Sequence, residues 1–300
     1  MTPAYIKTHK KGLLHWKAET AREALRECRL CPRKCGVNRL KNEPGGRCKT
    51  GELAVVASFH PHFGEEAPLV GSNGSGTIFF THCNLNCNFC QNFDISHDGV
   101  GRTVTSTELA TMMIDLQGTG CHNINFVTPS HVVPQILTAL EIAVEQGLRI
   151  PLIYNTGGYD RVKTLKLLEG IVDIYMPDFK FWDPAVAAMT CQAPDYPEVC
   201  CSAVKEMHCQ VGDLIIDRDG IARRGLLLRH LVMPQNLAGT RDIMHFIATQ
   251  ISVDTYINIL DQYRPCGHAF EIDALNRRIS RSEFKEAVRQ ATEKGLFRLD

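Results

Sequence analysis

The sequence predicts an α/β fold in which six parallel strands alternate with helices and form an incomplete barrel. Two observations lead to this prediction. Short β-branched and aromatic runs alternate along the chain with longer segments of helical periodicity, an order that favours right-handed βαβ units. No GxGxxG follows the first of these strands, which weakens the alternative of a flat, doubly wound sheet that binds a dinucleotide. The six strands are predicted at 77–81, 122–128, 150–155, 171–176, 226–233 and 255–260.

The segments between the strands carry signals for helix ends and turns. Thr105 with Glu108, and Ser280 with Glu283, form capping boxes, in which two helix-end N–H groups are satisfied reciprocally. Asp219-Gly220 predicts a hairpin turn between 213 and 225. Helices are predicted at 13–27, from Thr105 to about Leu116, and at 133–147, 160–170, 196–212, 240–251 and 280–295.

The composition limits the class of protein. Three hundred residues, 44% of them hydrophobic, are enough to bury a large core. The 33 basic and 33 acidic residues balance, which argues against a nucleic-acid partner. There is no apolar run of 18 residues and no signal-like N-terminus, so we expect a cytoplasmic protein that does not bind a membrane. We expect an N-terminal extension over 1–75 and the barrel over 76–300.

Thirteen cysteines need an explanation, and in a reducing compartment metal ligands explain them better than disulfides. Cys83, Cys87 and Cys90 have CxxxCxxC spacing and directly follow the first barrel strand; we call residues 82–92 the cluster loop. Three thiolates on an iron-sulfur cubane would leave one iron open. The alternative is a zinc site completed by a distant cysteine or histidine.

A second group of cysteines lies nearer the N-terminus. It consists of Cys28, Cys31, Cys35 and Cys48, with a turn expected at Pro44-Gly45-Gly46 that would bring Cys48 back to the other three. Four thiolates suit zinc or an auxiliary iron-sulfur cluster, and the ligand type does not separate these metals. Free thiols that happen to cluster are the alternative. The other six cysteines are interpreted as buried, small hydrophobic side chains.

Residues 77–92 resemble the radical S-adenosylmethionine (SAM) superfamily, whose signature is this cysteine spacing with an aromatic residue before the last cysteine, here Phe89. The resemblance implies a radical-SAM-type barrel with a 4Fe-4S cluster on Cys83, Cys87 and Cys90. It also implies that SAM binds the fourth iron and is split into methionine and a 5′-deoxyadenosyl radical, which takes a hydrogen atom from the substrate. An electron donor such as a flavodoxin or ferredoxin would then be a partner.

Polar residues occur at the predicted strand ends, the edge at which such barrels build active sites. Asp178 with Lys180, and Arg229, resemble elements of the pyruvate formate-lyase activating enzymes and their PflX-like homologues. That likeness implies that these three residues help hold SAM and that the substrate is a backbone glycine of a partner protein. The family's Gly-Gly-Glu segment is replaced here by residues 128–131, Thr-Pro-Ser-His. Ser130 and Asn155 complete the predicted cofactor-binding set, since hydroxyl and amide groups suit the amine or ribose of SAM.

Several alternatives stay open at the level of sequence. Lys180 would also suit a surface position, and Arg229 an internal salt bridge. The whole chain would also suit a radical SAM enzyme for a small molecule, a non-enzymatic iron-sulfur electron carrier, or a zinc-dependent interaction module. The loop with His60, His62 and Glu65-Glu66 is interpreted as exposed, polar and next to the active site.

Overall fold

A single twisted sheet forms the centre of the molecule in the computed structural model, which describes residues 1–41 and 45–300. Pro44 of the expected turn therefore lies outside the described residues. The strands of this sheet are β1 (Ala54–His62), β2 (Ser75–Phe80), β3 (Arg102–Val104), β4 (Ile124–Val127), β5 (Leu152–Thr156), β6 (Ile174–Pro177), β7 (Ile215–Ile216), β8 (Ala222–Leu231) and β9 (Tyr256–Leu260).

Six neighbouring strands run parallel, in the order β2, β4, β5, β6, β8, β9. They are the six strands that the sequence predicts, with ends that differ by a few residues, and the prediction of an α/β partial barrel is confirmed. At the open edge, β1 pairs antiparallel with β2, and β3 pairs antiparallel with β1. The predicted hairpin is present, since β7 pairs antiparallel with β8.

The helices cover the sheet as expected for parallel strands, which are buried on both faces. Both capping boxes are confirmed: Glu108 N donates to Thr105 Oγ1 at 3.2 Å, and Glu283 N donates to Ser280 Oγ at 3.2 Å. Three helices were not predicted, α1, α3 and α7. The helices are α1 (Ala4–Lys10), α2 (Leu13–Glu23), α3 (Ala67–Val70), α4 (Ser106–Gly118), α5 (Val133–Glu145), α6 (Val162–Leu168), α7 (Pro184–Cys191), α8 (Tyr196–Val211), α9 (Thr240–Gln250) and α10 (Arg281–Thr292).

The first helix closes the end of the barrel at which the parallel strands begin. Ala4 N donates to Asp173 Oδ1 at 2.8 Å, and the other oxygen of this carboxylate accepts from Leu152 N, at the start of β5. Thr8 Oγ1 donates to Gly170 O at 2.6 Å. The polar residues predicted at the strand ends lie at the opposite end of the barrel, where the parallel strands finish. In the described ranges, no helix is both long and apolar enough to cross a membrane.

The segment His60–His62 corrects the sequence interpretation, which placed it in a loop. In the structure these residues continue β1, and His60 and His62 lie opposite Thr77 and Ser75 of β2. The physical reason is that the backbone groups along the free side of β2 need partners. Pro61 is tolerated because β1 lies near the sheet edge.

Candidate active site

A cavity of about 360 Å³ lies at the carboxyl ends of the parallel strands. Because each strand delivers its last residues to this edge, side chains far apart in sequence meet there. The cavity is lined by seven of the predicted site residues: Cys83, Cys87, Cys90, Asn155, Asp178, Lys180 and Arg229. Ser130 is not among its lining residues; it is buried, and its Oγ lies 3.0 Å from Thr156 Oγ1. A role for Ser130 toward a cofactor would therefore act through Thr156, which does line the cavity.

The cluster loop is held in shape by its own backbone and by neighbouring side chains. Leu85 N donates to Cys83 Sγ at 3.3 Å, and Cys90 N donates to Cys87 O at 3.1 Å. Asn84 Nδ2 donates to Tyr159 O at 2.7 Å. Asn86 has a φ of +52°, a conformation that asparagine tolerates better than most residues. The loop thus turns its three sulfurs toward one cavity.

The chemistry of the donor set fits a thiolate-bound iron cluster. All three thiols are free, and none is paired in a disulfide. Burial raises the pKa of the Cys83 thiol to about 12, so a bound cation such as iron would favour loss of its proton. Among the residues described, no group of three or more His, Cys, Asp or Glu side chains is already arranged to hold a metal ion.

Cys191, at the end of α7, lies next to the cluster loop and was not predicted to do so. Its Sγ is 3.3 Å from Cys87 Sγ, and its side chain is buried. It does not line the cavity, so it stands behind Cys87. The pair is separated by 104 residues in sequence, and no local pattern could have indicated the contact.

Asp178 is the centre of a charged network in the cavity wall. Lys180 Nζ donates to its Oδ2 at 2.6 Å, and Arg229 Nε donates to its Oδ1 at 2.8 Å. Arg229 Nη2 also donates to Asn155 Oδ1 at 2.8 Å. Burial would raise the pKa of Asp178, but Arg229 and Lys180 together lower it, so the carboxylate is charged. Lys180 and Arg229 are thus both paired with Asp178 in the cavity wall, and their role toward SAM stays a prediction.

Glu65 and Glu66 correct the interpretation of their loop as exposed. The side chains are 8% and 3% exposed and lie 3.7 and 3.9 Å from Arg229 Nη1. The reason is electrostatic, because a largely buried guanidinium attracts more than one carboxylate. Burial raises the pKa of Glu65 to about 7, Arg229 opposes the rise, and Glu66 and Asp178 add to it. One of the acids of this wall is thus able to hold a proton near neutral pH.

Thr128 lines the same cavity with a strained backbone. Its φ is +60°, and a β-branched residue rarely adopts this conformation. Its N–H donates to Asn155 O at 2.9 Å, which fixes the peptide across two strand ends. Strained residues concentrate at functional sites, where the surrounding structure enforces them.

The N-terminal cysteines surround a second, much smaller cavity of about 10 Å³. Cys28, Cys31, Cys35 and Cys48 all line it, as the sequence predicts, together with the side chains of Arg39 and His131. Neither of these two was predicted to belong to the site.

Comparisons with known proteins find a relative in sequence and several likenesses in structure. No family model matches the chain. It is 31% identical over 295 residues to the uncharacterized protein MJ0674 of Methanocaldococcus jannaschii, with 96% of this chain and 80% of that protein covered. It superposes on HydG, a maturase of the [FeFe]-hydrogenase, with a TM-score of 0.52 and 14% identity, over 75% of this chain and 50% of that one.

The second structural likeness is to a radical SAM methyltransferase from Sphaerobacter thermophilus. The TM-score is 0.47 and the identity 11%, over 73% of this chain and 64% of that one. The chain thus spans less than two thirds of either solved structure. The likeness to HydG concerns the fold alone, and the predicted α/β partial barrel is confirmed.

Proposed function

We propose that this chain, which belongs to the family of the uncharacterized protein MJ0674 of Methanocaldococcus jannaschii, is a radical SAM enzyme. One observation carries the proposal. The three free thiols of a CxxxCxxC loop share a cavity of about 360 Å³ with a lysine and an arginine fixed on one aspartate. Thiols and cations together match a cluster that binds an amino acid through its amine and carboxylate.

Each wall of the cavity has a role in this proposal. Cys83, Cys87 and Cys90 would hold three irons of a 4Fe-4S cluster. When bound, the cluster and SAM would supply the electron and the radical for hydrogen abstraction. Arg229 and Lys180 would bind the SAM carboxylate. To do so, they would give up part of their contact with Asp178.

The remaining wall orients these groups and limits the access of water. Asn155 fixes the guanidinium of Arg229 through the 2.8 Å hydrogen bond to Nη2, so this cation does not swing freely. Phe79, Val127, Leu231 and Leu260 contribute an apolar lining. Reduced access of water strengthens the charge contacts inside the cavity.

The finer assignment follows the resemblance of Asp178, Lys180 and Arg229 to the activating enzymes. In that assignment the chain is an oxidoreductase that takes a hydrogen atom from a backbone glycine of a partner protein. We also propose a cytoplasmic location and reduction by a flavodoxin or ferredoxin. The N-terminal extension, residues 1–75, would be an additional module beside the barrel of 76–300.

An iron-sulfur electron carrier is the second candidate, and Cys191 is the observation that favours it. Electron carriers commonly bind every iron through cysteine. With Cys191 Sγ 3.3 Å from Cys87 Sγ, a small movement of α7 would offer a fourth thiol to the cluster. Such a cluster would not respond to SAM.

The deciding experiment is the formation of 5′-deoxyadenosine from SAM by anaerobically reconstituted, chemically reduced protein. We expect product from the wild type and from a Cys209→Ala control, whose cysteine is exposed on α8, but none from a Cys83→Ala, Cys87→Ala, Cys90→Ala triple variant. The proposal would be refuted if the triple variant also formed 5′-deoxyadenosine. It would equally be refuted if wild-type protein that carries a cluster formed none. In the second case an unchanged cluster spectrum on adding SAM would favour the electron carrier.

The substrate class is tested separately, with isotopes. Cells of the source organism are grown on [2,2-²H₂]glycine and divided into a protein fraction and a small-molecule filtrate. Deuterium that enters 5′-deoxyadenosine only with the protein fraction supports a glycine residue as substrate. Deuterium that arises only with the filtrate would show a small-molecule substrate instead.

A further inference from the structure

The turns that carry the N-terminal cysteines are closed by backbone hydrogen bonds. Cys28 N donates to Val37 O at 2.9 Å, and Gly36 N donates to Cys28 O at 2.9 Å. These two bonds bring the ends of the Cys28 to Cys35 segment together. Because the backbone fixes the segment, the thiols line one cavity, and no disulfide joins any of the described cysteines.

Gly46 allows the remaining cysteine to approach. Its φ is +73°, and a Cβ at this position would lie 3.0 Å from Cys35 Sγ. The backbone near Cys48 therefore passes close to the sulfur of Cys35, and only glycine fits there without strain. The four thiols line one small cavity formed by two separate stretches of chain, although in the described residues they are not already arranged as a metal-holding group.

Arg39 gives this site a positive charge that needs a partner. The residue is 1% exposed, and its Nη1 lies 3.9 Å from Cys28 Sγ and donates to His131 O at 2.7 Å. Nε and Nη2 donate to Gly51 O. Among these partners, only the sulfur of Cys28 is able to become an anion. A buried cation is stable when an anion lies close to it, and a metal-bound thiolate is such an anion.

His131 adds an independent sign of a ligand. It is 1% exposed and lines the small cavity, and its Nε2 lies 2.9 Å from Thr81 O. Its Nδ1 is buried and has no hydrogen-bond partner among the described residues. When Nε2 donates to the carbonyl, Nδ1 carries the lone pair, which is the usual arrangement of a histidine that faces a metal centre.

The small site is connected to the cluster loop by two side chains. Arg33, between Cys31 and Cys35, donates to Asn84 O at 3.0 Å, to Leu85 O at 3.2 Å and to Cys191 O at 2.8 Å. The ring of His131 reaches Thr81, immediately before the cluster loop. The N-terminal turns therefore support the backbone on which Cys83 lies.

We infer that Cys28, Cys31, Cys35 and Cys48 bind a thiophilic metal, as a zinc ion or an iron-sulfur cluster, with Arg39 as the cation beside it, and that this centre keeps the cluster loop in place through Arg33 and His131. The metal binding goes beyond the proposed function and does not depend on it. The support of the cluster loop rests on the proposed function. Both metals fit a site of four thiolates, and the test distinguishes them.

Metal binding is tested in the Cys83→Ala, Cys87→Ala, Cys90→Ala background, where the radical SAM cluster has no ligands. We expect about one zinc, or about four irons with sulfide, per chain by elemental analysis. Cys35→Ser, at the exposed cysteine of the four, is expected to lower this content at least tenfold, whereas Cys209→Ser leaves it unchanged. Gly46→Ala is a second variant that keeps every thiol and is expected to weaken metal retention against a chelator.

A triple variant that purifies folded and without zinc or iron overturns the inference, as does a metal content that Cys35→Ser leaves unchanged. Failure of the proposed function would give a different experimental result. It would be the absence of a cluster dependent on Cys83, Cys87 and Cys90 in the wild type, with the metal of the N-terminal site still present.

Support of the cluster loop is tested by hydrogen exchange of the wild type before and after a chelator removes the N-terminal metal. We expect amide exchange to increase in peptides that cover residues 82–92 but not in α9, and Arg33→Gln to increase it without chelation. Unchanged exchange over 82–92 in both cases would overturn this part. The readout is independent of catalytic activity.

Discussion

Glu65 makes the charged wall of the active-site cavity sensitive to pH. Burial raises the pKa of its carboxyl from 4.5 to about 7 in the folded chain. Below pH 4.5 the acid is protonated in both the folded and the unfolded state and has no effect on stability. Between pH 4.5 and 7 the unfolded chain releases the proton and the folded chain keeps it, so the free energy of unfolding falls as the pH rises.

The size of the effect follows from the two pKa values. A pKa difference of about 2.5 corresponds to about 3 kcal/mol, reached in full above pH 7. The side chain is only 8% exposed, so screening by solvent reduces this figure little. Glu65→Gln keeps the shape of the protonated acid. We therefore expect the variant to match the wild type near pH 4.5 and to be more stable by about 3 kcal/mol at pH 8.

The assay is urea denaturation of wild type and Glu65→Gln between pH 4.5 and 8, with both proteins in the same metal state. The difference between them removes the contribution of every other titrating group. Glu198→Gln, exposed on α8, makes the same chemical change away from the cavity and serves as the control. A difference between wild type and Glu65→Gln that is constant with pH would refute the argument that Glu65 is buried beside Arg229 as a protonated acid.

Three further predictions follow from contacts described above or from their neighbours. Cys191→Ala is expected to keep the iron and sulfide content of the wild type, because Cys191 lies behind Cys87 and outside the cavity, whereas Cys87→Ala loses the iron and sulfide of the cluster on Cys83, Cys87 and Cys90; equal losses of iron in the two variants would show that Cys191 is a ligand. Gly158→Ala is expected to destabilise the chain by about 2 kcal/mol more than Gly147→Ala, by thermal unfolding, because both glycines have positive φ but only a Cβ at 158 meets Asp178 O, at 2.4 Å; similar costs would contradict the close packing there. Burial lowers the pKa of His230 to about 4, so only the unfolded state gains a proton as the pH falls from 6.5 to 4. The free energy of unfolding is therefore expected to drop by about 3 kcal/mol over that range. A His230→Gln variant whose free energy of unfolding falls equally steeply with pH would argue against this.

The parts of the fold that the sequence predicts correctly depend on local patterns. The two capping boxes and the hairpin turn are specified by residues close together in the chain, and the six parallel strands by their apolar runs. Helix α1 gives no such signal. It has seven residues and no side-chain cap, and its stability comes from contacts with residues 150–173.

Some parts of the candidate site could likewise be predicted from local sequence, and others could not. The positions of Cys83, Asp178 and Arg229 at the strand ends follow from chain order once a parallel barrel is assumed. The burial of Glu65 and the approach of Cys191 to Cys87 depend on side chains brought together over long sequence separations. Their local sequences, a polar loop and an apolar helix, are compatible with many positions. The positions of these side chains are therefore determined by tertiary packing and not by local sequence.

The docking of α1 onto the starting ends of the strands has a consequence for biosynthesis. The partner of Ala4 is Asp173, and that of Thr8 is Gly170, at sequence separations of 169 and 162 residues. Helix α1 therefore leaves the ribosome well before Asp173 and Gly170, its partners at that end of the barrel, have been made. Contacts of such high sequence separation slow folding, since the loop must close before they stabilise anything. We expect α1 to be among the last elements to dock, and the barrel to be left open at that end until synthesis has passed β6.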